Sequence, residues 1–185
     1  MITKNDAIRA LNPTAGFTTS GGEIVQWDST DPQPTEQEIE VKLAELKYQE
    51  EVNVYQEKRK LEYPDWGDQL DKIYHDGVDA WKTDIKVIKD KYPKQTMDTT
   101  ELQKRKDAAI FKLQKRDYEK AVARLARHEL ANGVKDENGN YIIEPLPIIV
   151  ENERNPLIVQ DEAEREAAQE IINKTPRAVI DSINN

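Results

Sequence analysis

Between Tyr63 and Pro93 the apolar residues Leu70, Ile73, Tyr74, Trp81, Ile85 and Ile88 fall at offsets of 0, 3, 4, 11, 15 and 18. That spacing puts them on one face of an α-helix. Tyr-Pro pairs at 63–64 and 92–93 bound the segment, because a residue before proline is pushed out of the helical region and proline has no N–H to donate. The pattern predicts one helix over 66–91 with Gly77 inside it, between Tyr74 and Trp81. A glycine within a helix costs roughly 1 kcal/mol relative to alanine. The expectation is that this cost accompanies a close helix crossing, with Gly77 and Trp81 forming a packing seam with a partner helix.

Upstream, Asp31-Pro32-Gln33-Pro34 reads as a stiff linker, and Thr35 with Glu38 three residues later reads as a capping box. There the hydroxyl accepts from the backbone N–H and the carboxylate reaches back to the cap. A helix should run from this point to about Leu61, with Ile39, Leu43 and Leu46 at offsets 0, 4 and 7 and Val41, Tyr48, Val52 and Tyr55 on an adjoining strip. A further helix is expected from Thr99 to Ala131, where Phe111, Tyr118, Val122 and Leu125 sit at offsets 0, 7, 11 and 14. Asn132-Gly133 ends it as a left-handed C-cap. Three long helices in succession predict a bundle or an extended arrangement, with heptads too irregular for a coiled coil.

Alternation and turn residues appear at the two ends. A short helix over Asn5–Leu11 is followed by a hairpin from Phe17 to Trp27 around Ser20-Gly21-Gly22, together a small N-terminal α+β head. Beyond Gly133, Asn138-Gly139 is a type I′ hairpin signal, and Tyr141-Ile142-Ile143 and Ile148-Ile149-Val150 are rich in strand formers. Pro145 and Pro147 confine pairing to edge positions. This C-terminal β-hairpin excursion either adds a strand to a neighbouring protein's sheet or folds back on its own helices. An acidic helix follows over 160–174, with Ile180 and Ile183 in the tail hinting at docking. The expected fold is therefore mainly α, divided into a head at 1–31, a helical region at 35–132, a β-prone arm at 133–159 and a C-terminal helix and tail at 160–185.

Composition narrows the picture. Of 185 residues 37% are hydrophobic, 34% charged and 6% aromatic, with mean hydropathy -0.86, so a single compact globule would be poor in core material. Helices with thin apolar stripes gain much of their stability from neighbours, which predicts a homo-oligomer or a docked component. A net charge of -9 disfavours nucleic acid as a partner. There is no run of about 18 apolar residues, and the opening MITKNDAIRALNP lacks the apolar core of a secretory signal, so neither a membrane partner nor export is expected. Zero cysteines exclude disulfides, thiolate zinc sites and cysteine nucleophiles.

Candidate chemistry is sparse. His75 and His128 are the only histidines, and neither stands at metal-ligand spacing from a second one. Ser20, Ser29 and Ser182 lack a nucleophile-elbow context. Asp65, Asp68, Asp71, Asp76 and Asp79 form an acidic cluster, but calcium cages need a sharply turning loop rather than a helix. Asp136 to Asn140 opens like a calcium loop, yet Tyr141 and Pro147 stand where glycine and glutamate are required. No catalytic residue, metal or cofactor is predicted. What remains is a protein interface. Its candidate residues on the 63–93 segment are Trp66, Leu70, Ile73, Tyr74, Gly77, Trp81 and Ile85, with core packing as the alternative for the tryptophans. On the arm the candidates are Ile148, Ile149 and Val150.

The wording Tyr63-Pro64, Gly67-Asp68-Gln69-Leu70-Asp71, Tyr74-His75, Trp81-Lys82 and Lys89-Asp90-Lys91-Tyr92-Pro93 resembles a segment of small tail-associated proteins of tailed bacteriophages, which carry YPxxGDQLDxLYHxGxxxWKxxIxxVKxKYPK. Asp6-Ala7-Ile8-Arg9-Ala10-Leu11, Ile24-Val25-Gln26-Trp27-Asp28 and Pro34-Thr35 with Glu38-Ile39 resemble the opening domain of the same group. Together the two matches cover roughly the first half of the chain. The resemblance implies a non-enzymatic tail component located in the virion, and in the host cytoplasm during assembly, with other tail or fibre proteins as partners. A resident structural subunit is the first expectation and a transient tail-fibre assembly chaperone the alternative.

Overall fold

The computed structural model describes residues 1–145, 149–150, 153–154 and 162–184. Among them the chain is mainly helical, with seven helices and three two-stranded antiparallel sheets. Residues 1–109 and 110–185 form two compact units.

In the first unit, α1 (Lys4–Leu11) starts on a capping box between Thr3 and Asp6. The strands β1 (Gly16–Ser20) and β2 (Glu23–Asp28) pair around the Gly21-Gly22 turn, placing Phe17 opposite Trp27 with ring centroids 6.3 Å apart. The Arg9 guanidinium lies 4.7 Å from the Phe17 centroid and donates to Ala15 O at 2.6 Å, tying α1 to the hairpin. This head has no core of its own. Ala7 and Ile8, both 0% exposed, are enclosed by Ile39 and Leu43 of α2 (Glu36–Glu62), with Phe17, Ile24 and Trp27 packed around them. Lys4 closes the edge of that contact with ion pairs to Glu36 and Glu40.

The expected Thr35/Glu38 box caps α2, both of its reciprocal hydrogen bonds being formed. Along α2 the buried residues are Ile39, Leu43, Tyr48 and Val52, so the buried face moves from the first predicted strip to the second. Tyr63 ends the helix in an extended conformation before Pro64, as the steric rule for residues preceding proline requires.

The single helix expected over 66–91 is not formed. Gly77 stands at φ 84, ψ 165 between α3 (Trp66–Asp76) and α4 (Val78–Lys91). Its N–H donates to Ile73 O at 3.0 Å, closing α3, and its own carbonyl accepts from Trp81 N at 3.3 Å, opening α4. Trp81 Nε1 donates to Gln69 Oε1 at 3.1 Å, and Lys72 Nζ lies 3.4 Å from Asp84 Oδ2. Residues twelve apart in a straight helix would be separated by about 18 Å, so these contacts require the chain to fold back. Hydrophobic period cannot reveal such a corner, because the repeat resumes after it nearly in phase.

The helix α5 (Thr99–Asn132) is capped by Asp98, whose Oδ1 accepts from Thr100 N at 2.8 Å. Its first turns stay in the first unit, where Arg105 pairs with Glu51 and lies 4.5 Å from the Tyr48 ring centroid, and Lys106 pairs with Glu45. The unit boundary falls inside α5.

In the second unit α5 ends at Gly133 (φ 72) as expected, and a Cβ there would come within 2.6 Å of Ile143 O. Both the backbone angle and the close approach of β4 therefore demand glycine. Strands β3 (Val134–Lys135) and β4 (Tyr141–Ile143) form a hairpin, but not through a two-residue Asn138-Gly139 turn. Lys135 pairs with Tyr141 and the loop spans 136–140. It is organised by Asp136, whose Oδ1 accepts from Asn138 N and Asn140 N, both at 2.9 Å, while Gly139 N donates to its carbonyl. A side-chain acceptor at the loop's first residue outcompetes the shorter turn. Beyond it, β5 (Ile149–Val150) pairs locally with β6 (Glu153–Arg154). The expected helix over 160–174 is α6 (Glu162–Lys174), its first two positions lying outside the described residues, and α7 (Arg177–Asn184) follows. Ala121, Ala168 and Val179 are buried, so α7 buries Val179 rather than Ile180 or Ile183 most completely.

Candidate protein interface on the α3–α4 hairpin

The helix α3 begins on Asp65, whose Oδ1 accepts from Asp68 N at 3.0 Å. Gln69 then works in two directions: its Nε2 donates to Pro64 O at 2.7 Å while its Oε1 receives the Trp81 indole N–H. One side chain thus ties the start of α3 to the first turn of α4. Lys72 does the same with charge, reaching Asp76 at 2.9 Å and Asp84 across the corner. The hydrogen bond to Asp76, supported by both carboxylate charges, holds the Lys72 ammonium pKa above its ordinary value.

The chain reversal sorts the predicted residues into two groups. Ile73 and Trp81 are half-buried and Ile85 is 8% exposed, so these three face the interior of the unit. Trp66, Leu70 and Tyr74 are 76%, 58% and 84% exposed, at i, i+4 and i+8 of α3. Residues four apart stack along one side of a helix, so these three make a continuous apolar row facing outward. No residue of α3 is buried.

Among the described residues no helix of this chain crosses at Gly77. Nothing lies within 4 Å of a Cβ built there, and its glycine is explained by the positive φ of the corner. Trp81 is engaged by Gln69 of the same chain. On the arm, Ile148 lies outside the described residues, while Ile149 and Val150 form β5, whose pairing with Glu153–Arg154 is the local-hairpin alternative. Among the described residues neither strand of this ladder has a second strand partner.

The acidic residues of the segment are largely occupied. Asp65 caps α3, Asp76 and Asp84 pair with Lys72, and Asp79 pairs with Lys82. Among the described residues no group of three or more His, Cys, Asp and Glu side chains is placed to share a cation, and no described helix is long and apolar enough to cross a membrane. His75 is exposed on α3, its ring edge-on to Tyr74 at 5.0 Å.

No known protein family, curated protein or solved structure matches the chain.

One arrangement beside the hairpin has no decisive local signal in the sequence. Arg59 of α2 donates from Nε to Tyr92 O at 2.8 Å and from Nη2 to Lys89 O at 3.1 Å, capping the carbonyl end of α4. Glu62 receives both Lys91 and the Tyr92 hydroxyl beside it. A cation fits the negative end of a helix dipole. The available signal was the basic run Lys58-Arg59-Lys60, which does not say which helix end it meets.

Proposed function

We propose that this protein is a non-enzymatic bacteriophage tail component, a structural virion subunit that makes helix and strand contacts with other tail or fibre proteins. The outward row Trp66, Leu70 and Tyr74 carries the reading. It lies on the segment whose wording resembles tail-associated proteins, and exposed aromatic rows of this kind supply interface anchors. Symmetric copies of the chain, or its tail partners, cover the row and complete the helical bundle that the long helices suggest. The open strand edges of the arm add the strand contact. The reading places the protein in the virion tail, and in the host cytoplasm during assembly, without nucleic acid or membrane as partner.

Quantitative mass spectrometry on purified, salt-washed particles tests the reading, using phage that carry the parent chain or Trp66→Ser/Tyr74→Ser. Stoichiometric recovery of the parent and loss of the variant from particles is the expected result. Absence of the parent from particles, with co-purification of a fibre protein from infected-cell lysate, assigns it instead to transient assembly. Absence of both sinks the tail reading.

A further inference from the structure

A groove of about 370 Å³ lies between α2 and the segment joining α4 to α5. Two anchors lay that segment along the helix: Tyr92 O on Arg59, and Asp98 N on the Tyr48 hydroxyl at 3.2 Å. From Tyr48 to Arg59 the helix rises about 16 Å, and the steps from Tyr92 to Asp98 span that rise at about 2.7 Å each, longer than a helical rise and within the reach of an open chain. The segment is an open strap running antiparallel to α2. Its geometry fixes the second wall of the groove.

The floor is apolar and aromatic, built from Val54 and Tyr55 of α2 and Tyr92 and Pro93 of the strap. Val54 is 42% exposed although it faces this floor. The ammonium groups of Lys58 and Lys91 stand 6.0 and 5.2 Å from the Tyr92 ring centroid. Lys91 is paired with Glu62, and Glu51 at the far end of the groove is paired with Arg105. Lys58 is exposed, and the Tyr92 ring is its one contact of this kind among the described residues. The charged residues lining the groove are Lys58, Lys91 and Glu51, and with Lys91 and Glu51 paired the lining keeps the Lys58 charge in a chain of net charge -9.

We propose that this groove docks an acidic peptide segment of a partner protein, with a carboxylate against Lys58 and an adjoining aliphatic or aromatic side chain on Val54, Tyr55 and Pro93. The uncommitted ammonium beside an aromatic floor selects a ligand carrying both negative charge and apolar surface. A long polyanion such as nucleic acid meets the same Lys58 cation but is repelled by the rest of an acidic chain. A short acidic peptide touches the groove alone. The inference rests on the groove and not on the tail reading, and it holds for any source of the peptide.

Fluorescence anisotropy on the full chain tests it, with labelled short peptides of alternating Asp and Leu, Asn and Leu, or Lys and Leu, and with an oligothymidylate of equal length. The Asp-Leu peptide is expected to bind best, with affinity that weakens as salt screens the contact. Lys58→Glu should lower that affinity about tenfold, since it replaces an attraction with a repulsion. Lys58→Gln should fall between, circular dichroism being unchanged for both variants. Trp66→Ser should bind the peptide as the parent does, which keeps this outcome separate from the fate of the α3 row. Equal binding of the Asn-Leu peptide, tighter binding of the oligonucleotide, or undiminished affinity in Lys58→Glu would each overturn the proposal.

Discussion

Replacing Gly77 with alanine probes the feature on which the candidate interface depends. At φ 84, ψ 165 the residue occupies a backbone region open essentially to glycine alone, where another residue is strained by about 1–3 kcal/mol. The surroundings add nothing to that cost, because no atom lies within 4 Å of a Cβ at this position. The straight helix, by contrast, gains about 1 kcal/mol from alanine over glycine. Both effects favour straightening, so the balance between corner and continuous helix shifts by about 2–4 kcal/mol, roughly 30- to 900-fold. Opposing this are the Gln69 to Trp81 hydrogen bond, worth about 0.5–1.5 kcal/mol, the exposed Lys72 to Asp84 pair, worth at most about 1 kcal/mol, and the burial of Ile85.

The chain contains no cysteine, so paired spin labels at Asp71→Cys and Thr83→Cys report one distance without background. In the hairpin the helix axes run about 8–10 Å apart, whereas a straight helix separates these positions by about 18 Å along its axis. Gly77→Ala is expected to populate the longer distance and to slow amide exchange at Val78, Asp79 and Ala80, whose N–H groups gain carbonyl partners in a continuous helix. A variant that keeps the short distance, parental exchange and parental stability would refute the claim that positive φ selects glycine here. It would return the notch explanation to consideration.

Two further outcomes are expected. Ile8→Ala, at a position 0% exposed and enclosed by Ile39 and Leu43, should destabilise the first unit by about 2–5 kcal/mol in chemical denaturation; a loss below about 1 kcal/mol would mean that the head does not depend on α2. Asp136 titrates below the ordinary aspartate range, chiefly because the Asn140 N–H donates to its carboxylate. A carboxyl with a lowered folded-state pKa supports its loop above the unfolded value and loses that support as pH falls through the folded one. Amide shifts of Asn138 and Asn140 should therefore hold steady down to the ordinary aspartate value of 3.8 and move below it, and a midpoint at or above that value would contradict the hydrogen-bond reading.

What the sequence disclosed and what it hid divide along physical lines. Thr35 with Glu38, Tyr63 before Pro64 and Gly133 after Asn132 are settled by the residue and its immediate neighbours, and each was legible. The contact between Arg59 and the carbonyl end of α4 joins residues thirty or more positions apart, so it depends on a chain reversal that no local pattern states. The reversal itself was marked only by Gly77, which reads equally well as a crossing, a cap or a corner until its φ is known. The candidate site shows the same ambiguity. Periodicity grouped Leu70 and Tyr74 with Trp81 and Ile85 on one face, because a 3.6-residue repeat records which residues share a side and not what that side meets.

The corner gives α4 the covered side and leaves the row on α3 in solvent. An eleven-residue helix with no buried residue is too short to be stable by itself in water. Within the chain its order comes from the Asp65 cap, the Gln69 and Lys72 bridges and half-buried Ile73, none of which uses Trp66, Leu70 or Tyr74. Folding of this chain therefore places no demand on those three being apolar, and serine at Trp66 and Tyr74 should leave its stability within about 0.5 kcal/mol. A larger loss of stability in the isolated chain would mean that the row is already used within the fold, leaving less of it for the partner contact proposed above.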